Sequence, residues 1–310
     1  RDLGDDLRFL YVPIMTDSPP GRLAIDDCEP GLARRTWWAL EPLHGMIYFS
    51  PEAAARYEAL GLEGRAGYFA SRAAAMGAVP AEVVIATFYN FNPEVVRPAI
   101  AAAWRAAPPG RVLEARLAAA DATLRRVLGP LAGSREIVRA AELARKAAEA
   151  AGGDVAGRPL YAAHAALPWP DEPHLVLWHA QTLLREYRGD GHVAALLTAG
   201  LSGIEALVTH AATGVIPAEA LRTTRAWPAH SWNEAIEGLR GKGWLTAAPE
   251  PTLTEAGRVA REQVEETTDE LGLLPYAALG AEGCRELQEI ARPLTDPLIA
   301  ALMPWARRAR

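Results

Sequence analysis

The stretch "LWHAQTLLREYRGDGH", residues 177–192, decides how the chain divides. Wound at about 100° per residue, Val176, Leu177, Ala180, Leu183, Leu184 and Tyr187 fall on one half of a helix. His174, Trp178, His179, Gln181, Thr182, Arg185, Glu186 and Arg188 fall on the other, with Leu175 the one apolar intruder. An amphipathic helix with a solvated, charge-paired face is the ordinary reading. Trp178 pulls the other way, because an indole beside Arg185 and Thr182 gains nothing from water and suits a covered surface. The run Arg188-Gly189-Asp190-Gly191-His192 then reads as a break in the helix. Arg188 and Asp190 are expected to pair across the turn, and His192 to start the next segment.

On that reading the chain has four parts. Residues 1–30 form an N-terminal arm, 31–156 a helical domain, 157–192 a connecting segment with the central helix, and 193–310 a winged-helix domain with C-terminal helices. Half of the 310 residues are apolar and 23% are charged, as in ordinary globular proteins. A net charge of -6 argues against a general polyanion-binding surface and leaves a local basic patch open. Lys146 and Lys242 are the only lysines, so the positive charge is nearly all arginine. The only cysteines, Cys28 and Cys284, have no CxxC spacing, which excludes a disulfide scaffold and a zinc ribbon. The apolar stretch "RFLYVPIM" (8–15) is too short for a membrane span and lacks a cleavage site, and "TDSPPG" (16–21) reads as a linker. A cytoplasmic protein, monomer or homodimer, is the expectation.

Nearly everything after residue 30 reads as helix. Ser50-Pro51-Glu52, Pro80, Asn92-Pro93 and Ser134 mark helix starts. Ser202…Glu205 and Ser231…Glu234 have capping-box spacing. "GWLTAAPEPTLT" (243–254) reads as two short strands around a turn, followed by a long helix capped by Thr254. Helix, helix, capped helix, small hairpin, helix is the order of a winged helix. "SWNEAIEGLRGKGWL…PTLTEAGRVAREQVEETTDELG" resembles the recognition helix, wing and following helix of MarR-type transcriptional regulators, over roughly residues 193–272. With "LEPLHGMIYFSPE", "GYFASRAAAMG" and "LLREYRGDGHVAAL", the whole chain also resembles an actinobacterial family of helical, helix-turn-helix proteins. That resemblance implies a mostly α fold with one small β-hairpin and no activity. An echo at an offset of 123 residues pairs Arg65, Gly77, Glu82, Ala103 and Trp104 with Arg188, Gly200, Glu205, Ala226 and Trp227. It admits a degenerate internal duplication.

Candidate chemistry is sparse. His44 has Glu41 three residues before it and Tyr48 four after, near one helix face if Pro42 is tolerated. It reads as a general base, a metal ligand or a satisfied core histidine. No HExxH or tight ligand cluster occurs, so no metal is expected. Nucleotide-cradling glycine motifs and GxSxG are absent, and no cofactor is indicated. "FYNFNP" (88–93) reads as an aromatic cluster with a helix cap, or as pocket lining.

On the helix opened by Ser231, Trp232, Ala235, Ile236 and Leu239 form a buried stripe and Asn233, Glu234, Glu237 and Arg240 face outward. Two carboxylates facing phosphates weaken DNA binding, though Arg222, Arg225, Arg240 and Lys242 remain available to grip a backbone. Three readings stay open. The first is a small-molecule-binding protein whose ligand, of anionic type, lies between the halves against Glu41, His44, Tyr48, Trp178, His179, Arg185, Glu186 and His192. The second is a DNA-binding regulator. The third is an enzyme with His44 or His179 as general base and Arg185 stabilising negative charge.

Overall fold

The structure, a computed structural model, describes residues 28–304. The arm expected over 1–30, with its apolar stretch and linker, lies outside the described residues up to residue 27. The fold is mostly α. In chain order the helices are α1 (Pro30–Gly45), α2 (Pro51–Glu58), α3 (Arg65–Ala73), α4 (Ala81–Phe88), α5 (Pro93–Ala106), α6 (Pro109–Leu128), α7 (Arg135–Ala150) and α8 (Pro159–Ala165). They continue with α9 (Pro173–Thr198), α10 (Gly203–Ala211), α11 (Ala218–Thr224), α12 (Ala229–Gly241), α13 (Glu255–Leu271), α14 (Leu274–Ala277) and α15 (Gly280–Leu302). Among the described residues no single helix is long and apolar enough to cross a membrane.

Local chemistry sets several of the starts. Side chains of Ser50, Asn92, Ser134 and Thr254 accept from amides of the first turns they precede, and Ser202 with Glu205 closes a full capping box. The second expected box does not form. Extended Pro228 (ψ 153°) starts α12 at Ala229, so Ser231 falls inside the first turn.

The break expected at Gly189-Asp190-Gly191 is also absent: α9 runs 26 residues straight through it. Each glycine costs a helix interior about 1 kcal/mol relative to Ala, and tertiary contacts override that cost. A Cβ on Gly191 would lie 3.0 Å from Leu271 Cβ and 3.1 Å from Arg158 Nη1, so the glycine admits two close neighbours. Arg158 spans the junction, donating to the Tyr187 carbonyl (2.6 Å) and the Leu271 carbonyl (2.9 Å). Asp190 does not pair with Arg188. Its Oδ2 accepts from the amides of Leu160 (3.1 Å) and Tyr161 (2.9 Å), capping α8.

Three apolar clusters surround α9. The first joins α1, α6, α7 and α9 to the C-terminal α14 and α15, through Leu40, Leu124, Ile137, Leu184 and Leu294. There the two cysteines meet, buried and free, with sulfurs 3.9 Å apart. The second comprises the end of α9 with α10–α13, centred on Leu221, Trp232, Leu239 and Val264. The third is the aromatic packing of Phe69, Phe88 and Phe91 with Val96 and Ile100.

The expected β-hairpin is reduced to one antiparallel bridge, Leu245 with Leu253, and no strand forms among the described residues. Pro249 and Pro251 supply no amide donors, and Arg240 takes the carbonyls of Thr246 (3.0 Å) and Ala248 (2.5 Å). The sequence echo is matched in conformation only at its second and third pairs, since Arg65 opens α3 while Arg188 lies within α9. Gly77 (φ 81°) and Gly200 (φ 65°) both stand in the left-handed region before helices whose first turns hold Glu82 and Glu205. Trp104, however, lies in α5, and Trp227 in the turn before α12.

Gly203 fixes how the loop after α4 seats on α10, since a Cβ there would stand 2.0 Å from the Tyr89 carbonyl oxygen. Gly203→Ala is expected to lower stability in urea unfolding by about 3 kcal/mol. Gly110→Ala, with open space around it, is expected to stay within about 0.5 kcal/mol of the parent. Equal midpoints for the two variants would refute the seating.

Candidate functional site

The loop from Phe88 to Asn92 clasps the C-terminal helices. Asn92 N–H donates to the Arg225 carbonyl (3.1 Å) and Asn92 Nδ2 to that of Ala226 (2.8 Å). Trp227 Nε1 returns a bond to the Asn90 carbonyl (2.8 Å), and the Tyr89 hydroxyl donates to that of Leu201. What remains between the α3–α5 side and α10–α13, floored by α9, is a cleft of about 330 Å³. Tyr68, Phe88 and Phe91 form an aromatic wall beside Arg72 and Arg225, and α9 contributes Arg185, Glu186, Arg188 and His192.

The polar half of α9 is thus covered. Arg185 Nε bonds Glu41 (2.9 Å) and its Nη1 bonds Glu186 (3.0 Å), while Arg72 Nη2 stands 3.4 Å from both Glu186 oxygens. Burial opposes ionisation of Glu186, but Arg72 and Arg185 outweigh it and hold the carboxyl at about 2. Glu41 is pushed up instead, burial exceeding the pull of Arg185. Arg72 also sits 4.3 Å from the Phe88 ring centroid. Arg225 is lowered to about 10, first by burial and further by Arg72 and Arg65. Arg188 pairs with Asp269 (2.7 Å) and stacks on Trp37 at 5.0 Å.

Of the residues expected at a ligand site, Glu41, Arg185, Glu186 and His192 line the cleft; His44, Tyr48, Trp178 and His179 do not. His44 is buried and bonded through both nitrogens. The Thr182 hydroxyl donates to the Trp178 carbonyl (3.1 Å), so it accepts from His44 Nδ1–H (3.1 Å) and leaves Nε2 to accept from the Tyr48 hydroxyl (2.8 Å). Burial and then Arg185 push the His44 pKa far down. Trp178 stacks under Arg116 at 4.5 Å rather than Arg185, and His179 meets the Trp169 ring edge-on at 4.8 Å. His192 Nδ1 bonds Thr268 Oγ1 (2.9 Å), whose own proton goes to the Val264 carbonyl (2.7 Å). Among the described residues no group of three His, Cys, Asp or Glu is placed to hold a metal ion.

Sequence reasoning missed Tyr68, Arg72, His210, Arg261 and Glu265, all in the cleft wall. The i,i+4 spacing of Tyr68 with Arg72 was the available signal, realised as a bond of 3.2 Å. The four cations set aside for DNA are engaged within the protein. Arg222 pairs with Glu219 (2.8 Å), Arg240 with Glu237 (2.6 Å) and Lys242 with Glu205 (2.7 Å), and Arg225 is buried in the cleft wall. The outward residues of α12 include Asn233, Glu234 and Glu237, as expected.

Asp190 gives the site a measurable pH dependence. Burial raises its pKa to about 6, against the pull of the Tyr161 and Leu160 amides. Its folded pKa is above the unfolded value, so the folded state holds the extra proton and loses stability as pH rises from about 4 to 6, by at most about 3 kcal/mol. Asp190→Asn keeps an acceptor for α8 without the charge. Urea unfolding of this variant is expected to show a flatter profile across that window and a gain over the parent at pH 7. A profile parallel to the parent's would contradict the assignment.

The model of a helix-turn-helix family matches residues 33–304. No curated protein and no solved structure matches the chain. The family match speaks to helix-turn-helix membership and not to MarR kinship or to a source organism. It takes in both sides of the cleft and all the described helices from α2 to α15, and the chain belongs to this helix-turn-helix family.

Proposed function

We propose that the protein binds an anionic small molecule in the cleft between its N-terminal helices and α10–α13. The observation that carries this reading is the burial of Arg72 and Arg225 in the wall of a 330 Å³ cavity beside Tyr68, Phe88 and Phe91. A cavity of that size, mostly formed in advance and combining rings with a few fixed charges, suits an aromatic carboxylate or phosphate. The helix-turn-helix part then serves as one wall of the pocket, in a cytosolic protein of MarR-type descent, monomer or homodimer. That descent rests on Leu239…Gly243-Trp244-Leu245 and on the order of α10 to α13.

Benzoate and phenyl phosphate are suitable probes for isothermal titration calorimetry. Binding of at least one is expected, and Arg225→Gln is expected to weaken it tenfold or more, about 1.4 kcal/mol, with the fold retained. Equal affinity in the two proteins, or no heat with either probe, would refute the reading.

Membership of a helix-turn-helix family is compatible with a second reading, a DNA-binding regulator. Counterion release by free cations would then dominate affinity. Because Arg222 and Arg240 are held by Glu219 and Glu237, Arg222→Ala and Arg240→Ala are expected to leave the salt dependence of DNA binding unchanged. A slope reduced by about one per variant would favour the regulator. An enzyme using His44 or His179 as base has less support, since neither side chain lines the cleft.

A further inference from the structure

Behind the cleft floor, on the side of α9 turned to α6, lies a charge with no ion-pair partner among the described residues. Arg116 of α6 is 3% exposed and stacks 4.5 Å from the Trp178 ring centroid. Its Nε and Nη2 have no hydrogen-bond partner, and among the described residues no carboxylate pairs with it. Glu186, whose ionisation Arg116 favours, is bonded instead to Arg185 and Arg72, and Glu41 beyond it to Arg185. The buried set is therefore three guanidinium groups against two carboxylates.

Further buried polar atoms around Arg116 stand unpaired. Trp178 Nε1, His179 Nε2, the Tyr57 hydroxyl and both ring nitrogens of His164 are buried without a hydrogen-bond partner. His164 is fully buried. The Arg72 backbone beside it favours its protonation slightly, yet neither ring nitrogen completes a bond. Burial first and Arg116 second hold His164 at about 3 and His179 at about 4, so both are neutral at physiological pH. Burial raises Tyr57 to about 12 against the pull of Arg116 and of the Ser71 side chain, so the hydroxyl keeps its proton.

An arginine does not escape burial by losing its proton. An uncompensated buried ion costs several kcal/mol, and donors left unpaired add to that cost. Water could accept from two of these donors but would leave the charge unbalanced. We propose that Arg116, with Trp178 and Tyr57 as further donors, binds a small monovalent anion of halide size in the interior between α2, α6, α8 and α9. Small size follows from closure: Tyr57, Arg116, His164, Trp178 and His179 are all buried, which leaves no wide approach for an organic acid. The site is separate from the cleft, and the proposal stands whether or not the cleft takes a ligand.

Thermal and urea unfolding of the full chain in sodium bromide, against sodium gluconate at equal ionic strength, tests it. Above the dissociation constant, each tenfold rise in bromide is expected to raise the folded-to-unfolded ratio tenfold, with gluconate inert. Arg116→Met, which keeps the stack on Trp178 and removes the charge, is expected to lose the response. Equal behaviour in the two salts, or the same bromide gain in Arg116→Met, would overturn the proposal. Should the variant not fold, crystals of the parent grown in bromide decide the matter. An anomalous peak against the Arg116 guanidinium supports it, and a water or an empty site there overturns it.

Discussion

Arg185 holds this molecule's interior together. From the middle of α9 its guanidinium reaches Glu41 on α1 and Glu186 one residue on, and Glu186 passes the contact to Arg72 on α3. Such a buried chain of charges adds little net stability over an apolar core, but breaking it by removing one partner is expensive. Its consequence is geometric. The polar half of α9 cannot lie in water, so α1 and α3 must close over it. The loop that follows α4 is then brought against α10 and α11, and the cleft is the space the two sides leave.

The fold was legible where local chemistry decides it. Ser50, Asn92, Ser134, Ser202 and Thr254 announce their helices because a side-chain oxygen next to unpaired amides works the same way in any context. The covered nature of α9 was legible in Trp178, although the arginine it meets, Arg116, lies 62 residues away and has no local mark. The Gly-Asp-Gly passage misled because its meaning is tertiary. Gly191 makes room for Leu271 and Arg158, and Asp190 caps a helix 30 residues earlier in the chain. The strands expected over 243–254 failed for a similar reason: Arg240 claims the carbonyls that a ladder would have used. Of the residues expected to face a ligand, Glu41, Arg185, Glu186 and His192 line the cleft. Arg72, Arg261 and His210 were not expected there, since only long-range packing brings them to one cavity.

Membership of a helix-turn-helix family does not by itself assign a use to the surface of α10 to α12. Arg222, Arg240 and Lys242 each have a carboxylate partner within 3 residues or from the adjoining capping box, and Arg225 faces inward. Cations committed in this way stabilise the turns of α10 to α12 and contribute less to any field reaching a nucleic acid. Arg72, Arg116 and Arg225 are buried, where a low dielectric makes each interaction count for more.

The central claim is an anion held against buried arginines, and native mass spectrometry of freshly purified protein tests it most directly. The account predicts a mass above that of the chain, carried by an anionic small molecule that is released on denaturation. A clean apo mass under gentle conditions, unchanged by added aromatic carboxylates or phosphates, would contradict it.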